Sequence, residues 1–417
     1  MLKFERLDGP CGIPVFYQYV PEIVKSSGIA LAVFTGGADD TSVGEPGTYH
    51  WFEHVPFRGT KKFPDGYLAV KGPVARVGGK IGAWTSKFCT NYWATLPTRH
   101  LSIGMDVVVD LVARPILANE AIIAEREIIN QEIRDRLGSA NGILGYHLHS
   151  ILWDDHPLAS PVLGSAESLG SMTPELLRKA RGVGYDRSRM AFFVSTALPK
   201  NEILDMVSNR FETLPSNGVG ERRMGASFGL LPWAPGVRTE IETEFSSAVV
   251  KVLFRLSPLQ IKRDFVKRAL LIRVFSHGGL GSPLYRAVRE DNQLAYSASM
   301  ESYATRDGGY WGFHVNTSPK NVGAVERALS TMLHDPQLRS QQWFEDIKEA
   351  GRCSTEMEVI NPSNLVEGAV RQTTLMGEPV MEEEMIEIAN SITQEEILET
   401  IDEIHFEDAR TIVAFGK

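Results

Sequence analysis

Apolar residues in this chain fall into two kinds of run, and the alternation between them lays out the fold. Residues 13–19 and 27–36 are dense, short apolar runs that stop at Gly36-Gly37, and they read as strands. Acidic, glycine-rich residues 38–47 lead into a helical pattern around residue 50. A second helical pattern over about 66–77 follows Pro64-Asp65-Gly66, and Gly78-Gly79 breaks it. Strands near 80–86 and 89–96 then form a hairpin. Helices are expected near 98–113, 119–137, 141–151 and 173–182, followed by a strand over 189–196 and a helix over 200–212.

Residues 213–238 are rich in Gly, Pro, Ser and Arg and read as a connection between domains. Beyond it the pattern restarts. Residues 246–254 (Ser-Ser-Ala-Val-Val-Lys-Val-Leu-Phe) parallel 26–34 (Ser-Ser-Gly-Ile-Ala-Leu-Ala-Val-Phe), an offset of 246 − 26 = 220. Tyr310-Trp311 parallels Tyr92-Trp93 at 310 − 92 = 218. Two echoes at nearly one offset suggest a duplication. The expectation is an α+β chain of two homologous domains, 1–215 and 239–417, joined by 216–238, each a mostly antiparallel sheet covered by helices.

The bulk numbers agree with that size. The 417 residues suit two domains, and 43% hydrophobic with 23% charged residues describes an ordinary globular chain. A net charge of −9 argues against nucleic acid or an anionic membrane as partner. Cys11, Cys89 and Cys353 are odd in number and widely spaced, which suggests neither a disulfide framework nor a cysteine zinc site. No apolar signal core stands in residues 1–10 and no run nears eighteen apolar residues, so a cytoplasmic location is the expectation.

The chemistry concentrates in His50-Trp-Phe-Glu53-His54. On a helix, residues four apart share a face, so His50 and His54 can hold one ion between them. Two neutral imidazoles leave the charge of Zn²⁺ uncancelled, and Glu53 beside them is a carboxylate suited to taking a proton from water on the metal. The segment 120–136 reads as an amphipathic helix with Ile122, Ile123, Ile128, Ile129 and Ile133 as its apolar positions. Its Glu125 and Glu132 are seven apart and project from one side.

His-x-x-Glu-His followed by the Glu125-Arg-x-Ile-Ile-x-x-Glu132 helix resembles the M16 metallopeptidases, the insulysin, pitrilysin and mitochondrial-processing-peptidase relatives also called inverzincins. The resemblance implies a zinc endopeptidase with one Zn²⁺ per chain on His50, His54 and Glu132, Glu53 as general base and Glu125 supporting the site. It extends to Arg289-Glu-Asp-Asn-Gln-Leu-Ala-Tyr296, whose Arg289 and Tyr296 would reach the substrate and suit a developing oxyanion. Without it, Arg289 reads as a surface cation and Tyr296 as a half-buried strand residue. Gly78–Thr85 resembles the family's edge strand, where Gly82 and Ala83 would meet a paired peptide. Gly82 stands where Asn is usual in the family, so the backbone is kept and an amide side chain is lost. Pro56, just past the last histidine, is expected to end the helix early.

The resemblance also implies a clamshell of four such domains around a chamber. One chain holds two, so a homodimer closed on short or unfolded peptides is expected. A non-catalytic or hetero-paired subunit is the alternative. His147 and His149 alternate along a helix, and read as partly exposed residues rather than a second metal site.

Overall fold

The computed structural model describes residues 3–217, 224, 227–259, 261–356, 360–380 and 382–416. Of the expected connection, residues 218–223, 225 and 226 lie outside the described residues. The chain forms two compact units, and these are not its two halves. The first combines Met1–Ile133, Ser160–Ala226 and Val359–Glu382; the second combines Arg134–Ala159, Ser227–Glu358 and Glu383–Lys417. Each unit thus takes one helical segment from the other half of the sequence. Amphipathic periodicity marks the face of a helix that is buried, but not the sheet that buries it.

Six strands build the first sheet: β1 (Phe4–Asp8), β2 (Pro14–Tyr19), β3 (Ser26–Val33), β4 (Lys80–Thr85), β5 (Thr90–Pro97) and β6 (Met190–Thr196). Their order is β1-β2-β6-β3-β5-β4, with β2 and β6 parallel and every other pair antiparallel. In β3 every residue after Ser26 is buried, which explains its unbroken small and branched apolar run. One face of the sheet, carrying Phe16, Ala30, Ala32 and Phe193, packs against Val366, Ala369 and Val370 of the helix Pro362–Met376. That helix starts so close to β3 that a Cβ on Gly28 would overlap the Pro362 carbonyl. The opposite face carries the helix Leu101–Ala113, where Gly104 lies against Leu96 and Ile29.

The second sheet contains β7 (Arg238–Thr243), β8 (Ala248–Leu256), β9 (Ala295–Thr305), β10 (Gly308–Thr317) and β11 (Arg410–Gly416). Its order is β7-β11-β8-β10-β9, parallel between β7 and β11 and antiparallel elsewhere. This repeats β2-β6-β3-β5-β4 pair for pair, so the duplication is visible in topology. The sequence echoes are looser. Trp93 opposes Ala30, whereas Trp311 opposes Phe254 rather than Val250, a slide of four residues. An even slide keeps each side chain on its face. The helix Ala140–Trp153 packs on β11 and β8. Val250, Val252, Phe254, Leu270, Trp311 and Phe313 lie in this unit's core.

Between β3 and β4 the first unit carries the His50–His54 helix. The matching connection between β8 and β9 carries Lys262–Ser276, which includes 269–273 and has no histidine or glutamate. No helix among the described residues is long and apolar enough to cross a membrane.

Candidate metal centre

The helix Thr48–His54 is held at its start by a residue well outside it. Asp40 Oδ2 accepts from Gly47 N at 2.7 Å and Oδ1 from Tyr49 N at 3.0 Å, satisfying two amides of the first turn. Gly47 occupies the left-handed region at φ 85°, which brings those amides round. Burial is the larger influence on Asp40 and pushes its carboxyl up to about 7, against the two amide bonds that favour the anion. Tyr49, Trp51 and Phe52 are fully buried and anchor the helix. After His54 the backbone tightens into a 3₁₀ turn, Val55–Arg58, so Pro56 ends the α-helix as expected.

The second contributor is the helix Asn119–Leu137, whose buried positions are Ile122, Glu125, Ile129 and Ile133. Ile123 and Ile128, expected on the apolar face, are exposed. Glu125 belongs to the buried stripe. Its Oε2 lies 3.0 Å from His54 Nδ1, and its Oε1 accepts from Arg58 Nε. Burial alone would raise the Glu125 carboxyl, but the bonds from His54 and Arg58 hold it below its ordinary value. An ionised carboxylate only accepts, so His54 Nδ1 carries a proton in that bond, and in the neutral ring Nε2 presents its lone pair.

That lone pair faces Glu132. Its Oε2 lies 3.6 Å from His50 Nε2 and 3.7 Å from His54 Nε2, and one ligand atom from each of the three residues lies within 4.8 Å of the others. These separations exceed a hydrogen bond. They are close to the ~3.4 Å between two ligand atoms that each lie about 2.0–2.1 Å from one tetrahedral ion. His50 Nδ1 is buried without a hydrogen-bond partner, and burial followed by the neighbouring His54 charge lowers the His50 imidazole to about 3. At neutral pH it is therefore an unprotonated donor. For His54, burial opposes the charged form, while Glu125, Glu53 and Glu132 outweigh it and raise the pKa. Two imidazoles and one carboxylate are a donor set that suits Zn²⁺.

Glu53 is 7% exposed beside this group and accepts from Thr85 Oγ1 at 2.7 Å. Burial pushes its carboxyl up to about 7 despite His54 and Thr85, which both favour the anion. Gly82 and Ala83 lie on β4, which ends the sheet and pairs only with β5. A Cβ at Gly82 would come within 2.9 Å of the Trp93 indole, so the ring fills the space a side chain there would need. Arg289 and Tyr296 belong to the second unit. The Arg289 guanidinium lies between the Tyr285 and Tyr296 rings, 4.9 and 5.6 Å from their centroids, and bonds Tyr285 Oη and the Tyr296 carbonyl at 3.3 Å. Tyr296 is 83% exposed, which overturns its reading as a half-buried strand residue. Arg289 sits in a π-helical turn ahead of Gln293, whose φ is 51°. His149 packs with tilted rings against Trp153 and Tyr303, centroids 4.4 and 4.5 Å away, and is not part of the metal-capable group found among the described residues. Asp40, Arg58 and Thr85 were not singled out by sequence: Arg58 and Thr85 bond residues far along the chain, and Asp40 reaches Gly47 and Tyr49 at spacings of seven and nine.

A model of the family described as insulinase (peptidase family M16) matches residues 20–166, and one described as the peptidase M16 inactive domain matches 171–345. The chain is 23% identical to the mitochondrial-processing peptidase subunit beta of Saccharomyces cerevisiae, over 93% of this chain and 86% of that one. It is 22% identical to an uncharacterized zinc protease of Rickettsia felis, over 94% and 93% of the two. A crystal structure of a peptidase M16 inactive domain from Pseudomonas fluorescens superposes with a TM-score of 0.88 at 14% identity, covering 100% of this chain and 98% of that one.

Proposed function

The chain belongs to the insulinase (M16) peptidase family, and on that premise we propose that it is a zinc endopeptidase cutting short or unfolded peptides. The observation that supports this reading is the meeting of His50, His54 and Glu132 beside a buried, bonded Glu53. One Zn²⁺ per chain would be held by those three residues, where it would acidify water and polarise a carbonyl. A peptide pairs in extended form with the open edge of β4, passing Gly82 and Ala83. Glu53 takes the proton from the attacking water and returns it to the nitrogen of the leaving amine. Thr85 keeps Oε2 engaged, so the carboxylate holds one orientation. Arg289 and Tyr296 supply a cation and a phenol for the oxyanion, from the second domain of a partner copy in a homodimer.

Metal analysis and digestion of a random peptide pool test the proposal. The zinc-loaded chain should cut peptides of tens of residues, spare folded proteins and lose activity to chelators. Glu53→Gln should keep zinc and peptide binding and lose several orders of magnitude in turnover. Equimolar zinc with no peptide cut would make the chain a non-catalytic subunit.

A further inference from the structure

The two ends of β4 meet different chemistry. At one end Thr85 bonds Glu53, the proton carrier of the proposed cleavage, and marks the end of the open edge nearest that step. At the other end Lys80 opens onto a cavity of ≈ 700 Å³ in the same unit. Lys25, Lys80 and Arg99 line it, together with the amides of Asn361 and Asn364 and the Trp93 ring, and no carboxylate among the described residues does. In a chain of net charge −9, three cations around one cavity are a local reversal of the overall field.

Strand geometry links the cavity to the edge. Side chains two apart share a face, so Lys80, Gly82 and the Trp93 ring that covers Gly82 lie on one side of the sheet. With no side chain at Gly82, nothing on β4 between Lys80 and Trp84 screens that side. From Thr85 to Lys80 is 85 − 80 = 5 residues, about 17 Å at the rise of an extended strand.

We propose that this cavity is a carboxylate subsite, holding an acidic group of the peptide paired along β4 about five residues from the bond that is cut. Cations and amide donors are the chemistry that recognises a carboxylate. The group is an Asp or Glu side chain, or the C-terminal carboxylate of the peptide itself. The proposal rests on the peptidase reading and deepens it: cleavage is measured as a distance from an acid.

The test uses the zinc-loaded full chain and amidated alanine–serine decapeptides in which a single Glu is moved stepwise. Glu four to six residues from the cut bond, on one side only, should raise kcat/KM about tenfold. Lys80→Glu and Arg99→Glu, both exposed positions, should abolish that gain. A Glu-free peptide with a free C-terminus, cut at the same distance from its end, assigns the occupant as the terminal carboxylate. A flat Glu scan with no effect of amidation overturns the proposal, as does a gain that survives both charge reversals. Fluorescein-labelled copies of the same peptides, bound to Glu53→Gln and read by anisotropy, separate this proposal from the peptidase reading. Glu-dependent affinity lost in Lys80→Glu supports the subsite even if no peptide is cut, and affinity indifferent to Glu overturns it.

Discussion

Thr85 Oγ1 donates a 2.7 Å hydrogen bond to Glu53 Oε2, joining the open edge strand to the buried carboxylate beside the two histidines. A peptide pairing with β4 therefore contacts the strand that orients the proton carrier. Thr85→Val keeps the volume and removes the donor. It should leave zinc content and KM near wild type and lower kcat about 10–100-fold, the range for misoriented groups. Thr85→Ser should regain most of the loss. Full activity in the valine variant would show that the bond does not orient Glu53.

Glu125 touches His54 and Arg58 rather than the place where an ion would sit. Glu125→Ala should weaken zinc binding about 10–100-fold, read by competition with a chelator, as second-sphere losses do. His50→Ala, His54→Ala and Glu132→Ala should each abolish stoichiometric zinc. An undiminished affinity in Glu125→Ala would remove its supporting role.

Asp40 gives a stability signature. Its folded carboxyl stands at about 7, above the ordinary value near 3.9, because burial outweighs its amide bonds. Between those values the folded chain keeps a proton that the unfolded chain has released, so this group makes stability fall as pH rises from about 4 to 7 and adds no further slope above that. The contribution is on the order of 2–4 kcal/mol. Denaturant titrations across that window should show a steeper fall in the wild type than in Asp40→Asn, which keeps the part due to Glu53. A wild type no steeper there than the variant would contradict it.

Shared sites in a homodimer predict complementation. Glu53→Gln and Tyr296→Phe should each be nearly inactive alone. In a mixed dimer one site collects both lesions and the other neither, so mixing under subunit exchange should restore up to about a quarter of wild-type activity. A mixture as inactive as its components, with exchange demonstrated by mass, would put both elements to work within one chain.

The two pairs were legible because helical spacing is local, His50 and His54 being four apart and Glu125 and Glu132 seven; that Glu132 joins the histidines came from the family resemblance. The residues that hold the group in place were not legible. Asp40 caps the helix from seven and nine positions upstream through a left-handed Gly47, and Thr85 reaches Glu53 from a strand, so neither leaves a periodic trace. β1 went unseen because Phe-Glu-Arg-Leu-Asp is an exposed edge with no apolar alternation. The helix Ala140–Trp153 was visible as a helix and Pro362–Met376 was not read, and the sheets they cover depend on packing across the whole chain.

The contact of Gly28 with Pro362 carries a consequence for biogenesis. The sheet that presents the histidine helix stays uncovered on one face until residues near the far end of the chain have been made. During synthesis the first unit therefore waits, with Phe16, Ala30 and Phe193 open to water, for a helix that arrives after most of the second unit. Long-range closure of this kind is slow and leaves sticky intermediates. A chain stopped short of Pro362 would keep that apolar face of the first sheet uncovered.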